Sequence, residues 1–510
     1  MNNRIFILLM LPVALLVAMW ATSSLLTIQD NTRTIILVSA GFMALPLILA
    51  RHLAIDFKFL MLICLGYAVA GKGFAYVSPI EPIYIGEITL VLCMLGYLMR
   101  QIKHLDPFPT GIHGSVFVFM GLAGASLMFR DFEQYEMLAM RDASMAYYGL
   151  FFFCSFAMLR AEGAVRAMRK VGGWMLMAWV IFASVDFACQ AAGIVGGLKG
   201  VLFKLHPMVT YFYKPHPDIL FPLAATLAII CISRMIREKK IIYFFPLALA
   251  FAGLFQGKAA GLFAFIVTCA VLVLFAKRVE IGVFGVVSAV GGGVFLACVY
   301  VMEIEVVVEY LDGVDAVNTA QQGFTESNSR NTSDWRLNWW GAIWEDTMDD
   351  NPAFGAGLGS DISSSFLTGF YSADRATQGL EEGGARYPHN IIFTVIGRLG
   401  LVGLFVFGAY LLVVTKALID FCRVFLRRSD YLIGDLLFFA LFCSGLANAF
   451  VQSTYEAPYA AIIHWVALAY IARRLYDHKH GRNRNPGDQF EPQSETEGLK
   501  NTKDVDAYSV

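Results

Sequence analysis

Within the decapeptide Glu381-Glu382-Gly383-Gly384-Ala385-Arg386-Tyr387-Pro388-His389-Asn390, a guanidinium, a phenol, an imidazole and an amide follow one another immediately before the apolar run Ile391 to Val414. A neutral imidazole titrating near physiological pH can take a proton from a hydroxyl, and a guanidinium forks onto phosphate oxygens through paired N–H groups. At the mouth of an apolar helix these groups meet both water and lipid headgroups, where a lipid-linked substrate would be presented. The competing reading is an interfacial anchor, with Pro388 and Asn390 setting the helix start. A second cation stands upstream in Thr332–Asp346, which reads as a helix capped by Ser333, with Asp334 in its first turn and Asn351-Pro352 as its stop. Trp335, Trp339 and Ile343 share one face, with Trp340 and Trp344 beside it. Arg336 lies one turn from Trp340. Such a helix is expected along the outer membrane surface, either as a tryptophan-belted amphipathic anchor or with Arg336 as a fixed cation for a diphosphate.

These residues need a membrane frame. The chain has 510 residues, of which 57% are hydrophobic and 15% charged, with net charge -1 and a mean hydropathy of +0.60. That is too apolar for a soluble enzyme, and no basic excess suggests nucleic acid. Apolar runs long enough to span recur, giving an all-α polytopic protein of about fourteen helices. Helices 1–11 are expected within 1–302, a long outward-facing loop with short amphipathic helices at 303–388, helices 12–14 within 389–474, and a disordered cytoplasmic tail at 475–510. The first run, Ile5–Leu26, is longer than a signal-peptide core and reads as an uncleaved anchor. Lysine and arginine concentrate in every second loop, for example Arg166/Arg169/Lys170 and Arg423/Arg427/Arg428, which puts both termini in the cytoplasm and Glu303–Pro388 outside. Of the nine cysteines, Cys422 alone sits outside an apolar run. No disulfide framework or CxxC site follows.

Outward cations run against this charge bias and need a second explanation. Lys258, in the turn Gly257-Lys258-Ala259, either snorkels or faces substrate. Arg141 either pairs locally with Asp142 or Glu136 or joins a binding site. His216 lies between two prolines and reads as rigid loop. Gly355-Ala356-Gly357-Leu358-Gly359-Ser360 lacks the preceding strand of a nucleotide cradle and reads as a flexible turn. Asp346, Asp349 and Asp350 read as solvated, so no metal is expected. Glu87 and Arg398 are charges inside apolar runs. Each should face the bundle interior, and Glu87 is one candidate partner for Arg398.

The order of Arg336, Asn351-Pro352, Gly355-Ala356-Gly357, Pro388-His389-Asn390 and Gly397-Arg398-Leu399-Gly400-Leu401-Val402-Gly403 resembles the O-antigen ligase and polymerase superfamily of bacterial inner-membrane glycosyltransferases. The resemblance spans Trp335 to Gly403. It implies metal-independent, inverting transfer of a glycan from undecaprenyl diphosphate at the periplasmic face, without cofactor, to a lipid-linked repeat (polymerase) or to lipid A-core or protein (ligase). By resemblance, Arg336 and Arg386 hold the diphosphate, and His389 with Asn390 sits at the reacting centre. Lys258 stands where relatives often carry arginine, and Arg398 where they often carry glutamate. Tyr387, Trp340 and Arg141 complete the expected substrate contacts. A polymerase is favoured over a ligase by the span count. A chain-length regulator and a flippase are the expected pathway partners. A transporter is the alternative of another class; it would show inverted repeats and helices broken in corresponding halves, neither of which the sequence displays.

Overall fold

The structure is a computed structural model that describes residues 54–75, 84–103, 110–161, 163–191, 216–255, 259–275, 332–362, 388–427 and 432–480. These are almost entirely helical, and no strand occurs among them. In chain order the helices are α1 Ile55–Ala70, α2 Lys72–Ala75, α3 Ile85–Lys103, α4 Gly111–Ser126, α5 Phe132–Asp142, α6 Ser144–Tyr147, α7 Leu150–Met158, α8 Ala164–Ala191, α9 Pro217–Glu238, α10 Phe244–Phe255, α11 Ala259–Phe275, α12 Thr332–Asp350, α13 Ile391–Phe421, α14 Ile433–Ala449 and α15 Pro458–Lys479. Three stretches among the described residues are long and apolar enough to cross a membrane: Gly111–Asp142, Asp218–Glu238 and Ile391–Leu426. The runs Ile5–Leu26, Thr34–Ala50 and Ile281–Met302 lie outside the described residues, as do most of 303–388 and the tail.

Helix starts follow local chemistry. Thr110 caps α4 by accepting from the His113 amide, and Asn390 caps α13 by accepting from Ile392. Pro217 and Pro458 open α9 and α15, where a missing N–H costs nothing. The packed centre is formed by α9 against α10, α11 and α14, with α14 against α15 and α15 against α7. α4 packs along α13, and α12 lies on α13.

Two boundaries differ from the sequence reading. The span expected to end at Phe129 instead continues through a π-turn at Leu127–Asp131 into α5. The charges Arg130 and Asp131, which signal a loop in sequence, are satisfied in place. Arg130 Nε donates to Asp131 at 2.6 Å, and the Ser126 hydroxyl donates to the same carboxylate at 2.7 Å. α12 is also more than a surface helix, because Trp339 and Ile343 are fully buried and pack with Ile362 and Ile396 of α13. Burying an aromatic and a branched side chain contributes a few kcal/mol, which fixes α12, and therefore Arg336 and Trp340, relative to the start of α13.

The glycine turn is pinned rather than flexible. α13 is interrupted at Gly400 (φ 66°, ψ -160°), which releases backbone groups that must find partners. Residues 352–357 supply them: Ala356 N donates to Gly397 O at 2.8 Å, Gly357 N to Arg398 O at 3.2 Å, Leu401 N to Pro352 O at 2.8 Å and Val402 N to Ala353 O at 3.1 Å. The approach is so close that a Cβ on Gly400 would fall 2.4 Å from the Ala353 carbonyl, and one on Gly355 2.6 Å from the Gly397 carbonyl. Glycine at 355 and 400 is thus required by contact as well as by positive φ. α13 is therefore an interrupted helix whose break is closed by this turn.

Candidate functional site

Polar groups converge where the start of α13 meets α12, the start of α9 and the connection between α14 and α15. The turn before α13 is held in an uncommon conformation, with His389 at φ 54°, a left-handed setting that costs a non-glycine residue about 1 kcal/mol or more. Trp340 holds it there. Its indole Nε1 donates to the Pro388 carbonyl at 2.8 Å, and its ring stacks on Phe393 with centroids 5.2 Å apart and planes 9° from parallel. Trp340, expected to meet substrate, is therefore also the clamp of the His389 turn. Asn390 is buried; its amide oxygen accepts from Ile392 N at 2.9 Å, and its main-chain carbonyl takes Thr394 N at 2.9 Å. Asn390, expected at the reacting centre, has its side-chain oxygen committed to the helix cap.

Arg336 projects from the first turns of α12 toward the α14–α15 connection, where Nη1 donates to Val451 O at 3.3 Å. It is partly buried, and burial pulls its pKa below the ordinary arginine value while the charge of Asp218 opposes the shift. Asp218, 1% exposed, follows His216-Pro217 at the start of α9. Its Oδ2 accepts from the Ser453 hydroxyl at 3.2 Å and lies 3.4 Å from His216 Nδ1. His216 in turn caps α9 and faces Tyr459 at 5.0 Å between ring centroids, so the expected rigid loop is a cap with an aromatic backing.

Glu456 closes this group. Its carboxylate accepts from Thr394 Oγ1 at 2.5 Å, and its carbonyl accepts from Ser144 Oγ at 3.3 Å. Burial pushes its carboxyl up to about 7, with Asp218 adding to the rise while the Thr394 hydrogen bond and Arg398 oppose it. A carboxyl poised there can hold or release a proton at neutral pH.

Behind the site lies an ion-pair layer. Arg398, 1% exposed, pairs with Asp142 at 2.9 Å and donates to the Ser360 carbonyl and to Gly357 O. Asp142 also accepts from Gly359 N at 2.9 Å, and Asp131 from Leu358 N at 2.9 Å. Asp142, not Glu87, is the partner of Arg398. Glu87 instead accepts from the Tyr148 hydroxyl at 2.6 Å and the Tyr147 hydroxyl at 3.2 Å. Arg141 has a half-exposed side chain 3.8 Å from Asp142, the local pair that was one of its two readings. Arg386, Tyr387 and Lys258 lie outside the described residues.

The structure thus brings together His389, Asn390, Trp340 and Arg336, and adds Asp218, Ser453, Glu456 and Thr394, which the sequence reading passed over. Asp218 directly follows Pro217 and Glu456 lies two residues before Pro458, each proline opening an apolar run, and a carboxylate bordering a span is costly unless partnered. Glu87 stands out in the sequence on that ground, and both of these carboxylates qualify equally.

Residues 221–408, from within α9 to within α13, match the family described as O-Antigen ligase. The match takes in Arg336, the 351–360 turn, His389 and Gly400, and leaves out Asp218 and Glu456. Over that segment the chain is similar to the O-antigen ligase and polymerase superfamily. No curated protein matches the sequence.

Proposed function

We propose that this chain is a polysaccharide polymerase of the bacterial inner membrane. It transfers a glycan from undecaprenyl diphosphate to a lipid-linked repeat unit at the periplasmic face, with inversion and without a metal. The observation that carries the reading is His389, held at positive φ at the head of α13 by Trp340 from the same helix that carries Arg336. In this mechanism Arg336 and Arg386, with Lys258, neutralise the diphosphate as the glycosyl–oxygen bond breaks and charge develops on the leaving group. His389 takes the proton of the attacking hydroxyl. Asn390 sets the geometry of the His389 turn, while Tyr387, Trp340 and Arg141 flank the substrate. A chain-length regulator and a flippase would serve the same pathway.

A ligase, passing finished glycan to lipid A-core or protein, is the second reading, favoured by the matched family being that of O-antigen ligases. A transporter shares one feature with this chain, the interrupted α13, but here the break is closed by backbone hydrogen bonds from 352–357, which supports a packing role.

His389→Ala and Arg336→Ala should each abolish high-molecular-weight glycan at unchanged protein level; normal glycan in either variant sinks the assignment. In a deletion strain, a single repeat on its final acceptor indicates a polymerase, and polymer accumulating on undecaprenyl diphosphate indicates a ligase. Glycan elongation by purified protein in detergent, with no gradient, excludes the transporter.

A further inference from the structure

Two polar atoms beside the His389 turn are buried without a hydrogen-bond partner among the described residues: Oδ1 of Asp218 and Nε of Arg336. The two side chains are tied to one short segment, since Arg336 Nη1 donates to Val451 O and Ser453, two residues on, donates to the other oxygen of Asp218. Each group is thus fixed from one side and unmet on the other. A buried carboxylate oxygen without a donor and a buried guanidinium N–H without an acceptor are each costly to leave unsatisfied. A direct pair between Oδ1 and Nε would cancel both costs, and the structure does not make it.

We propose that Asp218 Oδ1 and Arg336 Nε together form a subsite for one sugar hydroxyl of the acceptor. A hydroxyl donates one hydrogen bond and accepts others. It can therefore give its proton to Asp218 Oδ1 while taking the Nε–H of Arg336, which neither an ammonium nor a carboxylate can do. A phosphate would satisfy Arg336 but be repelled by Asp218, so the subsite is selective against the diphosphate. His216 stands beside Asp218 and is itself faced by Tyr459. The inference rests on the glycosyl-transfer reading and refines it: Arg336 meets the diphosphate through its remaining Nη2 and the acceptor through Nε, placing donor and acceptor on two edges of one guanidinium.

The test separates the two partners of the reaction. Full-length protein in detergent is titrated with undecaprenyl diphosphate, with binding read from tryptophan fluorescence. Elongation of the lipid-linked repeat, extracted from a strain lacking this chain, is then followed on gels as a function of repeat concentration. For Asp218→Asn, undecaprenyl diphosphate should bind at least as tightly as in wild type while the repeat concentration for half-maximal elongation rises about tenfold or more, the scale of one charge-assisted hydrogen bond. Ser453→Ala, which frees the other oxygen of Asp218, should give a smaller rise of the same kind and serves if Asp218→Asn does not fold. Unchanged half-saturation in a folded variant overturns the proposal. Parallel loss of undecaprenyl diphosphate binding overturns it too, because Asp218 would then support the site as a whole. If wild type itself neither binds undecaprenyl diphosphate nor elongates the repeat, the glycosyl-transfer reading fails and this subsite with it.

Discussion

Glu456 ties the stability of the site to pH with a definite sign. Its carboxyl is raised from 4.5 to about 7 in the folded chain, first by burial and next by Asp218, against the Thr394 hydrogen bond and Arg398. The folded state therefore keeps a proton that the unfolded chain has already released between those two values. Stability is highest below about 4.5 as far as this group is concerned, falls as pH rises through the window, and levels off above about 7. At 1.36 kcal/mol per pH unit the total loss is about 3 kcal/mol. Glu456→Gln holds the neutral form permanently and keeps an oxygen for the Thr394 hydroxyl. The variant should be more stable than wild type at pH 8, with a flatter dependence of Tm on pH between 5 and 8. The assay is thermal unfolding in detergent, read from tryptophan fluorescence at a series of pH values. A Gln variant with the wild-type slope, or one less stable than wild type at pH 8, would refute the reasoning, because either result means that Glu456 is ionised and usefully paired in the folded state.

Other substitutions probe the devices around it. Gly400→Ala places a Cβ 2.4 Å from the Ala353 carbonyl; a loss of about 2 kcal/mol or more is expected, seen as a lower Tm or as aggregation in fluorescence-detected gel filtration. Arg398→Met strands Asp142 without its 2.9 Å partner and should cost about 3–5 kcal/mol, with Asp142→Asn in the same chain restoring part of the loss. Trp340→Phe retains a ring to stack on Phe393 but loses the hydrogen bond to Pro388 O; glycan elongation should fall about tenfold while Tm changes little. Asn390→Ala removes a helix cap at a cost of about 1 kcal/mol, and Asn390→Ser should recover both stability and elongation if capping is its contribution.

The helical class, the extent of α12 and the start of α13 were legible because each rests on local chemistry: hydrophobic length, Asn351-Pro352 as a stop, and Pro388-His389-Asn390 before an apolar run. Whatever depends on which distant residues meet was not. The sequence suggested Glu87 for Arg398 and Asp142 for Arg141, and no periodicity could bring Asp142 to Arg398, since that pairing is made by the packing of α5 behind the glycine turn. The turn itself looked flexible because three glycines in six residues loosen an isolated chain. Only the open backbone groups of the broken α13 convert it into a rigid plug.

The same limit explains the missed carboxylates. Asp218 and Glu456 are separated in sequence by most of the chain's second half, yet Ser453 and Thr394 join them to Arg336 and to the His389 helix within a few hydrogen bonds. Arg336 alone reads as a phosphate clamp. Set opposite a buried Asp218, it is a cation with an acid at its back, and its charge is already partly opposed before substrate arrives. That arrangement lowers its grip on any anion and sharpens its discrimination between a phosphate oxygen and a hydroxyl. Transfer between a lipid diphosphate and a sugar needs that discrimination, whereas simple retention of an anionic lipid does not. Tight binding of undecaprenyl diphosphate by Asp218→Ala, together with loss of elongation, is the combination this argument requires.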